Sequence, residues 1–358
     1  MEIDQMISAF LAGIEGQPQY ARNLVGLAEV VLDKKQEFKA FELARKVLRE
    51  SQGDTEAEVR ARALLGSILP SYHIRMMNDA RRNRAWDQAL RRVIRPGMHV
   101  LEIGTGAGML ALMAARAGAE KVTTCESDMV AAAIAREICE RNGYATLIDV
   151  IPKRSQDLAV GVDIDRPADL LFCDIFADNM LAFDPLPTLA DAHSRLVTKT
   201  APVIPAIGVI KLALANWEGC AIACRATDAV GFDISPFGDL VRPSVTVPIG
   251  APGLTMFSRD TDAFRFDFGL PSHPRTGRIE LGLEADREGI VDGIIQWIYL
   301  ELDSEIVLEA RPKPGLLSFS SPLFWPLPES VEVRPGDVIN VVAEYVRDML
   351  SIRRARDK

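Results

Sequence analysis

The chain has 358 residues, of which 48% are hydrophobic and 25% are charged, and its formal net charge is −9. This composition is typical of a globular protein and excludes a disordered or fibrous chain. No run of about twenty apolar residues occurs, so we expect no membrane span. The first residues lack a basic leader followed by an apolar stretch, and we therefore expect a cytoplasmic protein.

The acidic balance also argues against nucleic acid as a partner, because a polyanion would need a local basic patch. The clearest basic run is residues 81–84, and such a run usually forms a solvated helix face. Five cysteines form no C-x-x-C pair, and four histidines show no metal-ligand spacing. We expect reduced cysteines that pack as small apolar side chains, no metal site and no nucleic-acid partner.

Residues 1–68 are predicted to be helical, because apolar residues recur at helical spacing in segments around 24–32, 41–48 and 59–68. Pairs of short helices of this kind resemble a degenerate tetratricopeptide repeat, and we interpret them as an accessory helical cap. A single helix is expected over residues 70–90.

Strands and helices then alternate along the chain. The predicted order is strand 99–103, helix 109–117, strand 121–125, helix 127–142, strand 146–151 and strand 168–173, the last opening into a loop. A β-α-β order of this kind implies a parallel, Rossmann-like sheet that is covered by helices on both faces. The first part of the chain is therefore assigned to the α/β class.

After residue 205 the helical periodicity ends, and short β-prone runs are separated by Pro and Gly. These runs are 208–214, 245–247, 278–285, 293–302 and 339–346. The pattern predicts an antiparallel, barrel-like β domain, with residues 216–244 as an arm or long insertion. We therefore predict three domains, at 1–68, 69–204 and 205–358.

A glycine-rich turn lies between the first predicted strand and the helix that follows it. Gly104, Gly106 and Gly108 let the backbone approach a ligand closely, and the helix N-terminus offers free N–H donors. The G-x-G-x-G spacing suits a nucleoside joined to an amino-acid moiety better than the pyrophosphate of a dinucleotide.

Three further polar residues fit a nucleoside site. Glu126 ends the second strand about twenty residues beyond the turn, where a carboxylate can accept both ribose hydroxyls. Glu102 lies just before the glycine turn and adds a second acidic side chain. Gln156 follows the third strand and is placed to meet an adenine edge, although a solvated loop amide is nearly as good an interpretation.

Four stretches together resemble the protein arginine methyltransferases, over about residues 70–350. VLEIGTGAGMLALMAARAGA (100–119) is similar to that family's first motif, and HIRMMNDARRNRAWDQAL (73–90) is similar to its helical lid over the cofactor. CDIFADNMLAFDPLP (173–187) occupies the place of its acceptor loop, and WIYLEL with SPLFWPLP resembles its returning β segment. The branch it looks most like includes bacterial members with N-terminal helical repeats.

This resemblance implies an enzyme that uses S-adenosylmethionine to methylate a guanidinium or related nitrogen of a protein or small molecule. It implies that Arg82 pairs with the cofactor carboxylate, that His73 reaches the cofactor from the lid, and that Met76 lines the acceptor channel. It also implies a homodimer formed through an arm of the β domain.

The acceptor loop departs from the family pattern, which has two glutamates nine positions apart that clamp the guanidinium. Here the first position is Asp174 and the second is Phe183, with Asp184 one step later. The family's Thr-His-Trp turn has Phe324 in place of histidine, so Asp79, its expected partner, is left without one. We expect Asp174 to polarise the acceptor, with Asp184 as the second candidate for that role.

Either Asp184 rotates in to replace the missing carboxylate, or the acceptor is not a standard peptidyl arginine. The altered loop also leaves open a second function, a cofactor-binding pseudoenzyme that acts as a scaffold through its helical N-terminus. A third alternative is a nicotinamide-dependent oxidoreductase, against which the G-x-G-x-G spacing and the β domain both argue.

Overall fold

The computed structural model describes residues 3–51, 53–225, 228–248, 250, 252–313 and 319–355. The chain begins with four helices: α1 (Ile3–Ile14), α2 (Tyr20–Asp33), α3 (Glu37–Glu50) and α4 (Thr55–Ile68). Their apolar faces bury one another in a cluster of their own, separate from the main core. Asp54 caps α4 by accepting a hydrogen bond from the Ala57 N–H at 3.2 Å.

The segment predicted as one helix over residues 70–90 is two helices, so that prediction was wrong. They are α5 (Tyr72–Asn78) and α6 (Ala80–Val93). Asp79 lies between them, and its carboxylate accepts from the Arg81 and Arg82 N–H groups at 3.0 Å each. A side chain that accepts hydrogen bonds from the free N–H groups at a helix N-terminus favours the start of a new helix there. This capping explains why the segment divides at Asp79, and it gives Asp79 a structural role that needs no histidine partner.

The central sheet is parallel, with strand order β3-β2-β1-β4-β5. Its elements, in chain order, are β1 (His99–Ile103), α7 (Met109–Arg116), β2 (Lys121–Cys125), α8 (Met129–Arg141), β3 (Ile148–Ile151), β4 (Leu170–Cys173), α9 (Pro185–Arg195) and β5 (Val203–Ile204). The predicted Rossmann-like architecture is confirmed. Sequence analysis missed α9 and β5, because Pro185 and Pro187 open the helix and only two residues of β5 pair with β4.

The C-terminal part is antiparallel, as predicted. Its elements are β6 (Ile207–Trp217), α10 (Cys220–Ala223), β7 (Asp228–Ala229), β8 (Phe232–Asp233), β9 (Val245–Thr246), β10 (Leu254–Met256), β11 (Thr261–Asp267), β12 (Thr276–Glu284), β13 (Gly289–Glu301), β14 (Val307–Glu309), β15 (Leu323–Val333), β16 (Val338–Val346) and β17 (Met349–Arg354). The larger sheet has the order β10-β6-β13-β15-β9, and the smaller has β12-β16-β17. Closure into a barrel stays a prediction.

The segment that sequence analysis interpreted as an arm carries α10, the β7–β8 hairpin and a 3-10 helix, Ser235–Leu240. Residues 226 and 227 of this segment lie outside the described part of the chain. Several large apolar side chains here are exposed, including Val230 at 95%.

All five cysteines are buried and free, as predicted. Within the described residues, no helix combines the length and apolar character that crossing a bilayer would need.

Candidate active site

Three strands of the parallel sheet end at the same level. Ile103 of β1 pairs in register with Cys125 of β2 on one side and with Cys173 of β4 on the other. The residues that follow, Gly104, Glu126 and Asp174, are therefore neighbours along the carboxyl edge of the sheet. The strand order reverses between β1 and β4, and this is where open α/β sheets bind ligands.

The glycine turn is tight and has little room for side chains. Gly104 (φ +86°), Gly106 (φ +51°) and Gly108 (φ +76°) all have left-handed backbones. A Cβ at Gly104 would come within 2.5 Å of Ile175 Cγ2, so only glycine fits there. The Glu126 carboxylate faces this turn, because its Oε2 accepts from the Gly106 N–H at 2.9 Å. Its Oε1 accepts from the Asp128 N–H at 3.0 Å.

Glu102 lies beneath the turn and is almost completely buried. Its Oε2 accepts from Thr124 Oγ1 at 2.6 Å, and Thr105 Oγ1 lies 2.6 Å from the same hydroxyl. Its Oε1 has no hydrogen-bond partner within the described part of the chain. Burial is the main cause that raises the pKa of Glu102 to about 8, and the nearby charge of Glu126 adds to it.

Glu102→Gln should therefore flatten the pH dependence of stability. Because the pKa of Glu102 is higher in the folded state than its ordinary 4.5, the protonated form favours folding. This stability is fully present below pH 4.5 and is lost as pH rises through about 8. A difference of one between the folded and unfolded pKa corresponds to about 1.4 kcal/mol of unfolding free energy. Urea unfolding across this range should show the free energy of unfolding falling with pH less in Glu102→Gln than in wild type.

The matched control for this experiment is Glu120→Gln, since Glu120 is an exposed glutamate at the start of the next strand. Its unfolding free energy should follow the wild-type curve. Parallel curves for wild type and Glu102→Gln would contradict the prediction, because they would mean that Glu102 ionises normally in the folded protein.

Arg82 of α6 and Asp174 form a buried ion pair at the switch point. Both Arg82 Nε (2.7 Å) and Arg82 Nη2 donate to Asp174 Oδ2, and the two side chains are only 6% and 5% exposed. Asp174 Oδ1 accepts no hydrogen bond from the residues that the structure describes. The pair joins the side chain predicted for the cofactor carboxylate to the one predicted for the acceptor. It also shows that residues 81–84 are not a uniformly solvated face, since Arg82 is buried.

The short helix α5 lies over the glycine turn. A Cβ built at Gly106 would lie 3.8 Å from His73 Nδ1, so the ring covers the open wall of the turn. Burial lowers the pKa of His73, although the charges of Glu126 and Asp128 raise it. Met76 lies on the same helix and is half-buried. Arg75 ties α5 to the β segment, because its Nη1 donates to Ser321 Oγ at 3.0 Å.

The acceptor loop docks on the β segment through Asp178. Its Oδ1 accepts from Ser320 Oγ at 2.9 Å and from the Ser321 N–H at 2.8 Å. Gln296 Nε2 donates to the Asp178 carbonyl at 3.0 Å. Sequence analysis missed these contacts, because the partners lie more than a hundred positions apart. The lone acidic residue in the middle of the loop was the available signal.

The second half of the loop has an unusual backbone. Met180, Phe183 and Asp184 all have positive φ, at +69°, +73° and +52°. Such conformations cost about 1–3 kcal/mol each in a non-glycine residue and cluster at functional sites. Phe183 is 67% exposed, so it is not a buried wall of the site. Asp184 is exposed at the N-terminus of α9.

Two other predicted positions have structural partners. Gln156 donates from Nε2 to Thr188 Oγ1 of α9 at 3.0 Å, and its assignment to the adenine edge stays a prediction. Phe324 is fully buried on β15, where its ring packs 5.6 Å from that of Trp217 and closes on Gly293. A phenyl ring suits this apolar position, whereas an imidazole would need a buried hydrogen-bond partner.

Comparison with known proteins identifies the relatives of this fold. A family model for ribosomal protein L11 methyltransferase (PrmA) matches residues 87–211. The arginine N(omega)-methyltransferase of Streptomyces achromogenes subsp. streptozoticus is 30% identical over 272 residues, which are 76% of this chain and 75% of the relative. The chain belongs to the arginine N-methyltransferase family. It is therefore an S-adenosylmethionine-dependent methyltransferase, as its resemblance implied, and not a nicotinamide-dependent oxidoreductase.

Protein arginine N-methyltransferase 7 of Drosophila grimshawi is 30% identical over 294 residues, 76% of this chain. The match covers 40% of that relative, so the chain spans well under half of its length. The solved Trypanosoma brucei PRMT1 enzyme-prozyme heterotetrameric complex with AdoHcy has a TM-score of 0.68 at 19% identity, covering 80% of this chain and 98% of that one. This likeness supports the arginine methyltransferase fold.

Proposed function

We propose that the enzyme transfers a methyl group to a guanidinium nitrogen of arginine or a related small compound. In this proposal Asp174 orients and polarises the guanidinium nitrogen. The buried contact between Arg82 and Asp174 carries the proposal, because it joins a cofactor-side cation to an acceptor-side carboxylate. The name of the Streptomyces relative, an arginine N(omega)-methyltransferase, supports arginine as the acceptor.

The residues at the switch point fit S-adenosylmethionine, which supplies an electrophilic methyl group when bound. Glu126 would accept from the ribose hydroxyls, since its carboxylate already faces the glycine turn. Arg82 would pair with the carboxylate of the amino-acid moiety, and His73 would cover the site from α5. The left-handed glycines leave the backbone wall open to a ligand. Gln156 would meet the adenine edge after its side chain leaves Thr188.

Asp174 is suited to its role by the asymmetry of its contacts. Its Oδ2 is occupied by Arg82, which leaves Oδ1 to accept an N–H of the acceptor. That hydrogen bond would aim the nitrogen lone pair at the methyl group and favour loss of the nitrogen's proton. Met76 would line the channel on the lid side. Asp184 would join the guanidinium only if the strained second half of the loop rearranged.

Phe183→Glu should raise kcat/KM for L-arginine several-fold, because it returns a carboxylate nine positions after Asp174. The cost in stability should be within about 0.5 kcal/mol, since Phe183 is largely exposed. Steady-state assays with labelled cofactor measure the change. Phe183→Gln is the matched control, having the same length without the charge, and should gain less. An equal gain in both variants, or none, would contradict a missing carboxylate as the cause.

We also propose that two copies of the chain associate through the exposed arm. Several of its large apolar side chains are exposed, and exposed apolar surface of this kind marks protein interfaces. They are Ile222, Val230, Phe232, Phe237 and Leu240. Phe232→Ser combined with Leu240→Ser should raise the dimer dissociation constant at least about ten-fold by removing hot-spot contacts. Sedimentation velocity measures this constant. A wild-type chain that is monomeric at high concentration would contradict the proposal.

We further propose that residues 1–68 are a separate helical module, followed by an α/β domain at 69–204 and a β domain at 205–358. The independent apolar cluster of α1–α4 supports the first boundary. The module contacts α8 through a partly exposed ion pair, in which Arg45 Nη1 lies 2.7 Å from Glu137 Oε2. A single pair of this kind contributes little to stability.

The experiment that tests the function uses the full chain with S-adenosylmethionine and three acceptors. These are L-arginine, its decarboxylated analogue agmatine, and an arginine-rich peptide. Mass spectrometry should find a methyl group on a guanidinium nitrogen of L-arginine and none on a lysine peptide of matched length. Failure to methylate any guanidinium compound would contradict the proposal and favour a cofactor-binding scaffold.

A further inference from the structure

A cavity of about 280 Å³ adjoins the acceptor loop. One wall is the second half of the loop and the start of α9, with Leu181, Asp184 and Leu186. The opposite wall comes from the β domain, with His273, Arg275 and Arg347. A ligand seated there would contact the second half of the acceptor loop.

The walls of this cavity are tied together by backbone contacts. The Arg347 N–H donates to the Arg275 carbonyl at 2.7 Å, which holds these two residues side by side. Asn179 Nδ2 of the acceptor loop donates to the Asp348 carbonyl at 3.2 Å, which fixes the β16–β17 turn against the loop. The cavity is therefore built from three segments far apart in sequence and is not a single mobile surface loop.

The charges in the cavity are one carboxylate and two guanidinium groups. Within the described ranges, neither Arg275 nor Arg347 forms an ion pair, although the chain as a whole has an excess of acidic residues. The His273 ring also faces the cavity, and its Nε2 is buried with no hydrogen-bond partner among the described residues. The guanidinium groups of Arg275 and Arg347 can each donate two hydrogen bonds to a ligand carboxylate. The carboxylate of Asp184 can bind a ligand ammonium group.

This combination matches the head group of a free α-amino acid, which carries both charges on one carbon. An arginine inside a peptide has neither charge, because its amino and carboxyl groups are amides. We propose that Arg275 and Arg347 bind the α-carboxylate of the acceptor and that Asp184 binds its α-ammonium. The inference rests on the proposed function and narrows it: the acceptor is a free amino acid with a guanidinium side chain.

The test is calorimetry on the full chain saturated with S-adenosylhomocysteine, titrated with L-arginine and then with agmatine, which lacks the carboxylate. Arg275→Ala and Arg347→Ala should each weaken L-arginine binding by about ten-fold to a hundred-fold, the range of a lost charged hydrogen bond. Agmatine affinity should change less than about three-fold. Arg334→Ala, an exposed arginine in the β15–β16 turn, is the matched control and should change neither affinity.

Binding rather than turnover is the primary measurement, so the two proposals can fail separately. Selective loss of L-arginine affinity supports the head-group site even if no methylation occurs. Methylation of agmatine and L-arginine with equal KM, or equal affinity losses for both ligands in the variants, would overturn it while leaving guanidinium methylation intact. A wild-type enzyme that does not bind L-arginine would also overturn it.

Discussion

Asp174→Asn is expected to lower kcat for L-arginine about 10²-fold to 10⁴-fold, the range for a group that assists proton transfer. Asparagine keeps the shape of the side chain but cannot stabilise the positive charge of the guanidinium or favour loss of its proton. The KM for L-arginine should rise as well, because the same carboxylate binds the ground state. Quenched assays with labelled cofactor, at saturating concentrations of both substrates, measure kcat directly.

The same change affects stability, because it leaves the buried Arg82 guanidinium without an anion. Breaking a buried ion pair in this way costs about 3–5 kcal/mol, so the fold of the variant must be checked by thermal unfolding. Asp174→Glu keeps the pair and should retain most activity. Asp165→Asn, at an exposed carboxylate that pairs with Lys121, is the matched control and should leave kcat unchanged. A folded Asp174→Asn enzyme with wild-type kcat would remove Asp174 from the mechanism.

Arg82→Ala should raise the dissociation constant of S-adenosylhomocysteine about ten-fold to a hundred-fold, because it removes a forked partner for the amino-acid carboxylate. Adenosine lacks that carboxylate, so its affinity should change less than about three-fold. Calorimetry with both ligands measures the difference. Arg84→Ala, at an exposed arginine of the same helix, is the control. Equal losses for both ligands would mean that Arg82 acts through packing of the lid.

The positions of the residues proposed for the cofactor could be predicted from sequence, because they depend on local patterns. The glycine turn, Glu102 and Glu126 follow directly from strands whose apolar runs are visible, and parallel strands bring their ends to one edge. Once the strand boundaries are predicted, parallel pairing alone places these residues at the same edge of the sheet. The reduced cysteines also followed from composition.

The acceptor side was less predictable, because it is made by contacts between distant segments. The pairing of Arg82 with Asp174 spans ninety-two positions, and nothing in either local sequence marks it. The positive φ angles of Met180 and Phe183 occur at residues with no preference for that conformation, so they are imposed by the surrounding structure. The cavity lined by Arg275 and Arg347 is likewise formed by segments that are distant in sequence, so it could not be predicted from local patterns.

Asp79 and Phe324 were interpreted only through the family's catalytic residues, and the structure gives each a different role. Asp79 was assigned a lost histidine partner, whereas its carboxylate caps the N-terminus of α6. Phe324 was interpreted only as a missing histidine, whereas its ring fills the core between Trp217 and Gly293. Helix capping and core packing account for each residue without reference to catalysis.

A crystal structure of the full chain with S-adenosylhomocysteine and L-arginine is the decisive measurement for the proposed mechanism. We expect the ribose hydroxyls on Glu126, the cofactor carboxylate on Arg82, and a guanidinium nitrogen hydrogen-bonded to Asp174 and facing the sulfur. An acceptor bound elsewhere, or a cofactor carboxylate that does not touch Arg82 while Asp174 contacts no ligand, would contradict the mechanism.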